Sequence, residues 1–261
     1  MDTAIRYGYM TPASDGVIVK MKSGQNISGF PIGIIYIDDV SYPMMPGNIV
    51  NGYTFDFPVR LMPVQGLDCP NLFQTADEVY EKIMTACNNL KKEGVRAISG
   101  ACGFFGNYQM QVSEAIDLPV ALSSLIQIPW IATLLKKDQK IGILTADQSS
   151  FTDKLLDSCG VSNELKKRLI VKDLRHEKEF SCILEGRGEF NNAVVRQEVI
   201  GKAREILAEE PMTGAILLEC SDMPPYAYAV QEAVSLPVFD FTTLIRWLHN
   251  SVTQTPYCGF I

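Results

Sequence analysis

Two cysteines end two closely similar apolar segments of the chain. The segment AISGAC ends at Cys102 and the segment AILLEC ends at Cys220, and each cysteine is followed after twelve positions by a glutamate, Glu114 or Glu232. Two thiols on opposite sides of a small molecule can remove a proton from one face of a carbon and return a proton to the other. This pair therefore predicts inversion of a carbon centre beside a carboxylate or carbonyl group, without a cofactor.

The similarity between the two halves of the chain extends beyond the cysteines. The segments IGIIYID, from Ile32 to Asp38, and IGILTAD, from Ile141 to Asp147, share one pattern, and EAIDLPV and EAVSLPV follow the two cysteines. Self-similarity of this kind indicates one structural unit used twice. The sequence therefore predicts two equivalent lobes.

Short apolar segments alternate with longer helical patterns. PIGIIYI, VRAISGA, KIGILTA and GAILLEC are typical of strands buried on both faces. The segment TADEVYEKIMTACNNLKKEG predicts a helix capped by Thr75 with Glu78 in its first turn and ending at Gly94, and NNAVVRQEVIGKAREILAEE predicts a second helix that stops before Pro211. The alternation predicts an α/β fold of two pseudo-symmetric doubly wound lobes with parallel sheets, and an active site in the cleft between them.

The lobe boundaries follow from the extent of the repeat. We expect residues 1–125 to form the first lobe with an N-terminal extension, residues 126–224 to form the second, and residues 225–261 to complete the first, with FDFTTLIRWLHNSV as a final helix docked on it. Asp15 and Gly16 indicate a turn, and a small hairpin, in the extension. The Pro- and Gly-rich segment DDVSYPMMPGNIVNGYTFDFP replaces an expected first helix.

Both cysteines are expected at the carboxyl edge of a parallel sheet, where open α/β folds bind ligands. The unpaired N–H groups of the first helical turn after each cysteine favour a thiolate and are expected to lower the pKa of Cys102 and Cys220. The other cysteines, which are Cys69, Cys87, Cys159, Cys182 and Cys258, are interpreted as small packing residues.

Composition excludes several classes of function. The chain has 261 residues, of which 47% are hydrophobic, and a net charge of −7. Many charged residues lie in predicted helices that carry both Lys or Arg and Glu, and this distribution disfavours nucleic acid and anionic membranes as partners. The first residues lack a signal-peptide pattern, and the seven cysteines include no CxxC pair, so we expect a cytoplasmic, reducing location. His176 and His249 lie far apart, so no metal site is expected.

The segments IGIIYIDD, SGACGFF, IGILTADQSS and LLECSDMPPYA, in this order, resemble the aspartate/glutamate racemase superfamily, which includes hydantoin racemases. The resemblance covers nearly everything after residue 30. It implies a racemase or epimerase that acts on an amino acid or a related carboxylate or hydantoin, independent of pyridoxal phosphate, with Cys102 and Cys220 as the two acid/base groups. It also implies a small carboxylate or amino-acid-like partner, while self-association into a homo-oligomer is left open.

The resemblance also implies substrate-binding residues around the two cysteines. Asp38 and Asp39 correspond to a polar pair after the first strand, and Ser221 and Asp222 to polar residues after the second cysteine. Gly103 and Phe104 stand where many relatives have Asn and Thr, which argues against aspartate or glutamate as substrate. The segment DDVSYPMMPGNIVNGYTFDFP, together with Phe104 and Phe105, is expected to line a roomier or more apolar pocket. The substrate-binding candidates are Asp38, Asp39, Gly103, Phe104, Ser123, Ser124, Thr145, Ser149, Ser221 and Asp222.

Three alternatives stay open at this stage. The same scaffold supports cysteine-dependent decarboxylases and enzymes that isomerise a cis double bond to trans, and a non-catalytic two-lobed protein that binds a small acid would need neither thiol. A decarboxylase needs only one protonating thiol, so the presence of two favours inversion.

Overall fold

The computed structural model describes residues 24–69 and 77–261, together with residues 10, 11, 14, 16, 18, 19 and 72. The turn expected at Asp15 and the helix cap expected at Thr75 lie outside the described residues. Among the described residues, no helix has the length and apolar character needed to span a membrane.

Eight parallel strands form two four-stranded sheets in the described part of the chain. The first sheet has the order β2-β1-β3-β4 and the second the order β6-β5-β7-β8, so the predicted α/β fold of two doubly wound lobes is confirmed. The strands are β1 Ile32–Ile37, β2 Val59–Val64, β3 Ala97–Gly100, β4 Val120–Ala121, β5 Lys140–Thr145, β6 Leu169–Asp173, β7 Thr213–Leu218 and β8 Val238–Phe239.

Helices connect the strands and cover the sheets. The α-helices are α1 Asp77–Glu93, α2 Gln109–Ala115, α3 Ile128–Leu134, α4 Asp153–Ser158, α5 Asn163–Lys166, α6 Cys182–Glu185, α7 Asn192–Glu209, α8 Ala227–Val234 and α9 Phe241–Val252. Short 3₁₀ turns lie at Gly103–Tyr108, Ser124–Gln127, Gln148–Ser150 and Pro224–Tyr226. The predicted helix before Pro211 corresponds to α7, whose first N–H groups bond to the side chain of Asn191.

The repeated Ile-Gly-Ile pattern has a packing cause. A Cβ atom on Gly33 would lie 2.8 Å from Leu90 of α1, and a Cβ atom on Gly142 would lie 2.8 Å from Ile206 of α7. Glycine therefore lets the long helix of each lobe approach its central strand closely. The bulky isoleucines on both sides of each glycine are fully buried.

The C-terminal segment contributes to both lobes. Strand β8 pairs with β7 in the second sheet, whereas Phe241, Leu244 and Ile245 of α9 form one apolar cluster with Ile32 and Ile34 of the first sheet. The division of the chain at residues 125 and 224 stays a prediction. A larger apolar cluster contains residues of both sheets, so the lobes share a core.

Candidate functional site

The two cysteine segments leave their strands through the same hydrogen bond. The N–H of Ala101, directly before Cys102, donates to the carbonyl of Ile35 at 2.8 Å, and the N–H of Glu219, directly before Cys220, donates to the carbonyl of Leu144 at 2.8 Å. Because Ile35 and Leu144 hold equivalent places in the two central strands, the two cysteines hold equivalent places in the two lobes.

The two cysteine segments also contact each other across the lobe boundary. The hydroxyl of Ser221 donates to the carbonyl of Ala101 at 3.0 Å. A Cβ atom on Gly103 would lie 1.6 Å from Oε1 of Glu219, so only glycine fits beside this carboxyl group. The hydroxyl of Ser124 lies 3.2 Å from the carbonyl oxygen of Glu219 and reinforces the contact.

The thiols at this boundary carry raised, not lowered, pKa values. Burial is the largest cause and raises the pKa of Cys102 and of Cys220 well above the usual value, and the carboxyl groups of Glu219 and Asp222 raise both further. The N–H groups of Phe104 and Asp222 bond to the two thiols and lower these pKa values, as expected from the sequence. The expectation that the two thiol pKa values are lowered is wrong, because burial raises each pKa by more than the hydrogen bond from one N–H group lowers it.

Asp222 forms the most connected polar contact of the site. Its Oδ2 lies 3.4 Å from Sγ of Cys220 and accepts a hydrogen bond from the hydroxyl of Tyr42 at 3.0 Å, while its Oδ1 accepts one from the amide of Asn48. Burial raises the pKa of Asp222 to about 6, against the lowering effect of these donors. The carboxylate form is therefore still accessible near neutral pH, within hydrogen-bond distance of the Cys220 thiol.

Glu219 is a second buried carboxyl group beside the cysteines. Its Oε2 accepts a hydrogen bond from the hydroxyl of Thr145 at 2.8 Å, whereas Oε1 has no hydrogen-bond partner among the described residues. Burial raises the pKa of Glu219 to about 7. Because a buried carboxylate oxygen without a partner is costly, the protonated form is favoured in the folded protein.

A third thiol lies near this site. Burial raises the pKa of Cys69 to about 11, and the carboxylates of Asp222, Asp68 and Asp39 raise it further. Cys69 in turn raises the pKa of Cys102. Cys69 is interpreted from the sequence as a packing residue, but it lies close enough to the candidate site to affect the pKa of Cys102.

Other candidates from the sequence lie away from the cysteines or inside the core. Asp38 and Asp39 are exposed, and Asp38 accepts a hydrogen bond from the N–H of Gly66 in a turn. Ser149 donates to Asp147, whose carboxylate pairs with Arg175.

Two more candidates have structural roles in the first lobe. The ring of Phe104 is 2% exposed and packs in the core with Phe105, so these rings do not give the expected roomier pocket. The hydroxyl of Ser123 accepts a hydrogen bond from the N–H of Leu125 and caps a 3₁₀ turn.

Three site residues were missed in the sequence, namely Glu219, Tyr42 and Asn48. An acidic residue at the end of an otherwise apolar buried strand is a signal that could have identified Glu219. Tyr42 and Asn48 lie 180 and 174 positions from Asp222 in the chain, so no local pattern connects them.

Several solved structures share this fold. The fold matches that of allantoin racemase from Pseudomonas fluorescens with a TM-score of 0.57 and 13% identity, covering 88% of this chain and 99% of that one. It matches unliganded arylmalonate decarboxylase with a TM-score of 0.51 and 15% identity, covering 87% and 93% of the two chains. The fold is thus that of the aspartate/glutamate/hydantoin racemase superfamily, as the resemblance implied.

Curated relatives with higher sequence identity carry a different name. Dimethylsulfoniopropionate lyase from Durusdinium sp. clade D is 29% identical over 240 residues, covering 90% of this chain and 79% of that protein. Dimethylsulfoniopropionate lyase 7 from Emiliania huxleyi is 31% identical over 238 residues, covering 87% and 69%. The chain spans only 46% of the length of lyase 5 from the same organism. No protein-family model matches the sequence.

These relatives correct the main functional prediction. The prediction of a racemase or epimerase is wrong, because the relatives that match most of this chain are lyases by name. Among the alternatives, a cysteine-dependent decarboxylase on the same scaffold, which is itself a lyase, agrees better with them. The prediction that the protein is an enzyme is confirmed, whereas the prediction that it is an isomerase is not. On the strength of the match to lyase 7, the chain belongs to the dimethylsulfoniopropionate lyase family.

Proposed function

We propose that the protein is a lyase that cleaves dimethylsulfoniopropionate into dimethyl sulfide and acrylate. The observation that carries the proposal is the 3.4 Å contact between Sγ of Cys220 and Oδ2 of Asp222, in a chain whose curated relatives are named for this substrate. A thiol beside a buried carboxylate is a general base that can act on a carbon-bound proton.

The proposed reaction is a β-elimination. The Cys220 thiol passes its proton to the Asp222 carboxylate, and the resulting thiolate removes a proton from the carbon next to the substrate carboxylate. The electron pair of the broken C–H bond forms the double bond of acrylate, and the pair of the broken C–S bond leaves with sulfur as neutral dimethyl sulfide. Asp222 then releases its proton to solvent, so that one proton is produced per turnover.

The positive charge of the substrate compensates for the raised thiol pKa. Burial and two carboxyl groups disfavour the thiolate of Cys220 in the free enzyme. A sulfonium group bound beside Cys220 favours the negatively charged thiolate, because an opposite charge within a few ångströms lowers a pKa. The base is therefore formed when the substrate is in place.

Cys102 has a different role in this proposal. Its pKa is raised by burial and by its neighbours, and the carboxylate contact is made by Cys220 and not by Cys102. We assign Cys102 as a protonated thiol that donates a hydrogen bond to the substrate carboxylate, where negative charge develops as the α-proton leaves. The reaction as proposed uses no metal and no organic cofactor.

The test is a direct assay of elimination. The protein is incubated with dimethylsulfoniopropionate, and proton NMR follows the loss of the sulfonium methyl signal and the growth of the vinyl signals of acrylate. Wild-type protein should form acrylate and dimethyl sulfide in equal amounts, and Cys220→Ser should form both about a thousandfold more slowly.

A cysteine outside the site provides the matched control. Cys258 is exposed near the C-terminus, so Cys258→Ser removes a thiol without touching the site and should leave the rate unchanged. Absence of acrylate with the wild-type protein, or an unchanged rate in Cys220→Ser, would contradict the proposed function.

A further inference from the structure

A narrow pocket is lined by Asp222, whose carboxylate lies 3.4 Å from the Cys220 thiol. Its walls are the loop that carries Tyr42 and Asn48, the segment around Phe180 and Phe190, and the turn that follows Asp222. Together with its open mouth, the pocket encloses about 290 Å³ of free space. This volume includes open solvent; without movement of the lining side chains the pocket holds about one water molecule, so a small organic cation enters by widening it.

Four aromatic residues are part of the lining of this pocket. Tyr42, Phe180, Phe190 and Tyr226 contribute four rings from three separate segments of the chain. Of these four, only Tyr42 takes part in the thiol chemistry described above, through the hydrogen bond from its hydroxyl to Asp222. The faces of aromatic rings carry partial negative charge and attract cations, most strongly where water is excluded. Such a lining favours a cation with an apolar surface.

The pocket contains two carboxylates, and only that of Glu179 has an ion-pair partner among the described residues, Lys178 at 4.0 Å. Asp222 is 8% exposed. Among the described residues, no Lys, Arg or His side chain forms an ion pair with it. Glu179 adds a second carboxylate to the lining, and its Oε2 accepts a hydrogen bond from the N–H of Asn191. A ligand cation would supply the missing positive charge.

The hydrogen bonds of Asp222 restrict the kind of cation. Its two oxygens already accept from the Tyr42 hydroxyl, the Asn48 amide and the Cys220 thiol. A primary ammonium group has three N–H donors that need acceptors, whereas a fully alkylated sulfonium or ammonium group has none. The pocket therefore suits the alkylated cation better than the ammonium group of an amino acid.

We propose that this pocket is the subsite for the alkylated cationic group of the substrate, a dimethylsulfonium group, and that it selects for alkylated onium carboxylates. The inference rests on the proposed function for the identity of the substrate, but the preference for an onium group follows from the lining alone. Because Asp222 contacts both the pocket and Cys220, a bound sulfonium group lies next to the thiol that removes the α-proton.

The proposal is tested by binding, independently of catalysis. Trimethylsulfonium and tetramethylammonium carry the onium group but have no proton that can be eliminated. Isothermal titration calorimetry of the wild-type protein should show that both bind at least about tenfold more tightly than methylammonium or neutral tert-butanol. Proton NMR of the Tyr226 ring should show a shift on addition of trimethylsulfonium, which locates the binding.

A conservative variant removes one ring face. Phe190 is half-buried, so Phe190→Leu keeps an apolar side chain and should weaken trimethylsulfonium binding about fivefold and raise the KM for dimethylsulfoniopropionate more than it lowers kcat. The matched control is Phe30→Leu, also half-buried but located before β1, at the opposite end of the strands from the cysteines. The control should bind like the wild type.

The outcomes separate this inference from the proposed function. Trimethylsulfonium binding without cleavage of dimethylsulfoniopropionate would support the onium subsite and contradict the lyase assignment. Cleavage without onium binding, tighter binding of methylammonium, or an unchanged affinity in Phe190→Leu would overturn the subsite and leave the lyase assignment intact.

Discussion

The two lobes have the same sheet order but different residues around their cysteines. In the first lobe, Cys102 lies between Ala101 and Gly103, and the next residue, Phe104, is part of the core. In the second lobe, Cys220 lies between Glu219 and Ser221, and the next residue is the buried Asp222. The carboxyl groups that raise the pKa values of Cys102 and Cys220 thus come from the second lobe.

This difference explains why the prediction of a racemase is wrong although the fold is correct. Inversion in both directions needs two acid/base groups with exchangeable roles, and a chain with equivalent lobes suggested such a pair. Of these two thiols, only that of Cys220 is hydrogen-bonded to a carboxylate of the described residues, at 3.4 Å. An elimination has one proton to remove and none to return, so it needs one base, and unequal thiols suit it.

The largest expected effect is an unequal response of the two thiols to substitution. Cys220→Ser should lower kcat/KM about a thousandfold, because a serine hydroxyl is scarcely ionised near neutral pH and general base catalysis contributes about a hundredfold to ten-thousandfold. Cys102→Ser should lower it only about tenfold, since serine keeps a hydrogen-bond donor. Steady-state kinetics with both variants measure these changes, and an equal decrease in kcat/KM in the two variants would contradict the different roles of the two cysteines.

The next effect concerns Asp222 and the pH dependence. Because the pKa of Asp222 is about 6 and its carboxylate accepts the thiol proton, kcat/KM should fall as the pH decreases below about 6. Asp222→Asn should lower kcat/KM about tenfold to a hundredfold and remove this acidic limb. A pH profile with an unchanged limb in Asp222→Asn would assign the limb to another group.

Tyr42→Phe is the companion variant for this pH profile. The Tyr42 hydroxyl donates to Asp222 and lowers its pKa, so loss of the hydroxyl should raise that pKa and move the acidic limb to higher pH. The ring stays in place, so the variant separates the hydrogen bond from the aromatic contact. A limb that stays in place would mean that the Tyr42 hydroxyl does not act on Asp222.

Much of the fold was predictable because the chain contains the same unit twice. Two copies of the Ile-Gly-Ile pattern and of the cysteine segment indicated two equivalent lobes with parallel sheets and equivalent places for Cys102 and Cys220. The site was less predictable because its polar groups are set by contacts between distant segments. Tyr42 and Asn48 reach Asp222 from a loop without regular structure, and the position of such a loop depends on what it packs against.

The contact between Gly103 and Glu219 gives the third prediction. A Cβ atom on Gly103 would lie 1.6 Å from Oε1 and 2.8 Å from the backbone oxygen of Glu219, so Gly103→Ala should destabilise the protein by about 2 kcal/mol. Gly201→Ala, in the helix α7, is the control, since a Cβ atom there meets no atom within 4 Å and should stabilise the helix slightly. Urea unfolding measures both changes.

A double variant tests which atom causes this loss. Gly103→Ala combined with Glu219→Ala should recover much of the stability lost in Gly103→Ala, because the carboxyl group that meets the new methyl group is gone. Additive losses would instead indicate that the backbone of the second lobe, and not the Glu219 side chain, limits the space.

The smallest expected effect is the contribution of Glu219 to the pH dependence of stability. The pKa of Glu219 is raised from 4.5 to about 7 in the folded protein, so between these values the folded state binds more protons than the unfolded state. The free energy of unfolding should therefore decrease as the pH rises from 4.5 to 7, and Glu219→Gln should remove this part of the decrease. The shift sets an upper limit of about 3 kcal/mol, and relaxation around the charge makes a difference of about 1 kcal/mol the expected result. Ala101 holds the equivalent place in the first lobe and carries no charge, so no matching contribution arises there. Urea unfolding of the wild type and of Glu219→Gln at pH 5 and pH 8 measures the difference. If the free energy of unfolding changed by the same amount between these pH values in both proteins, Glu219 would not titrate in this range.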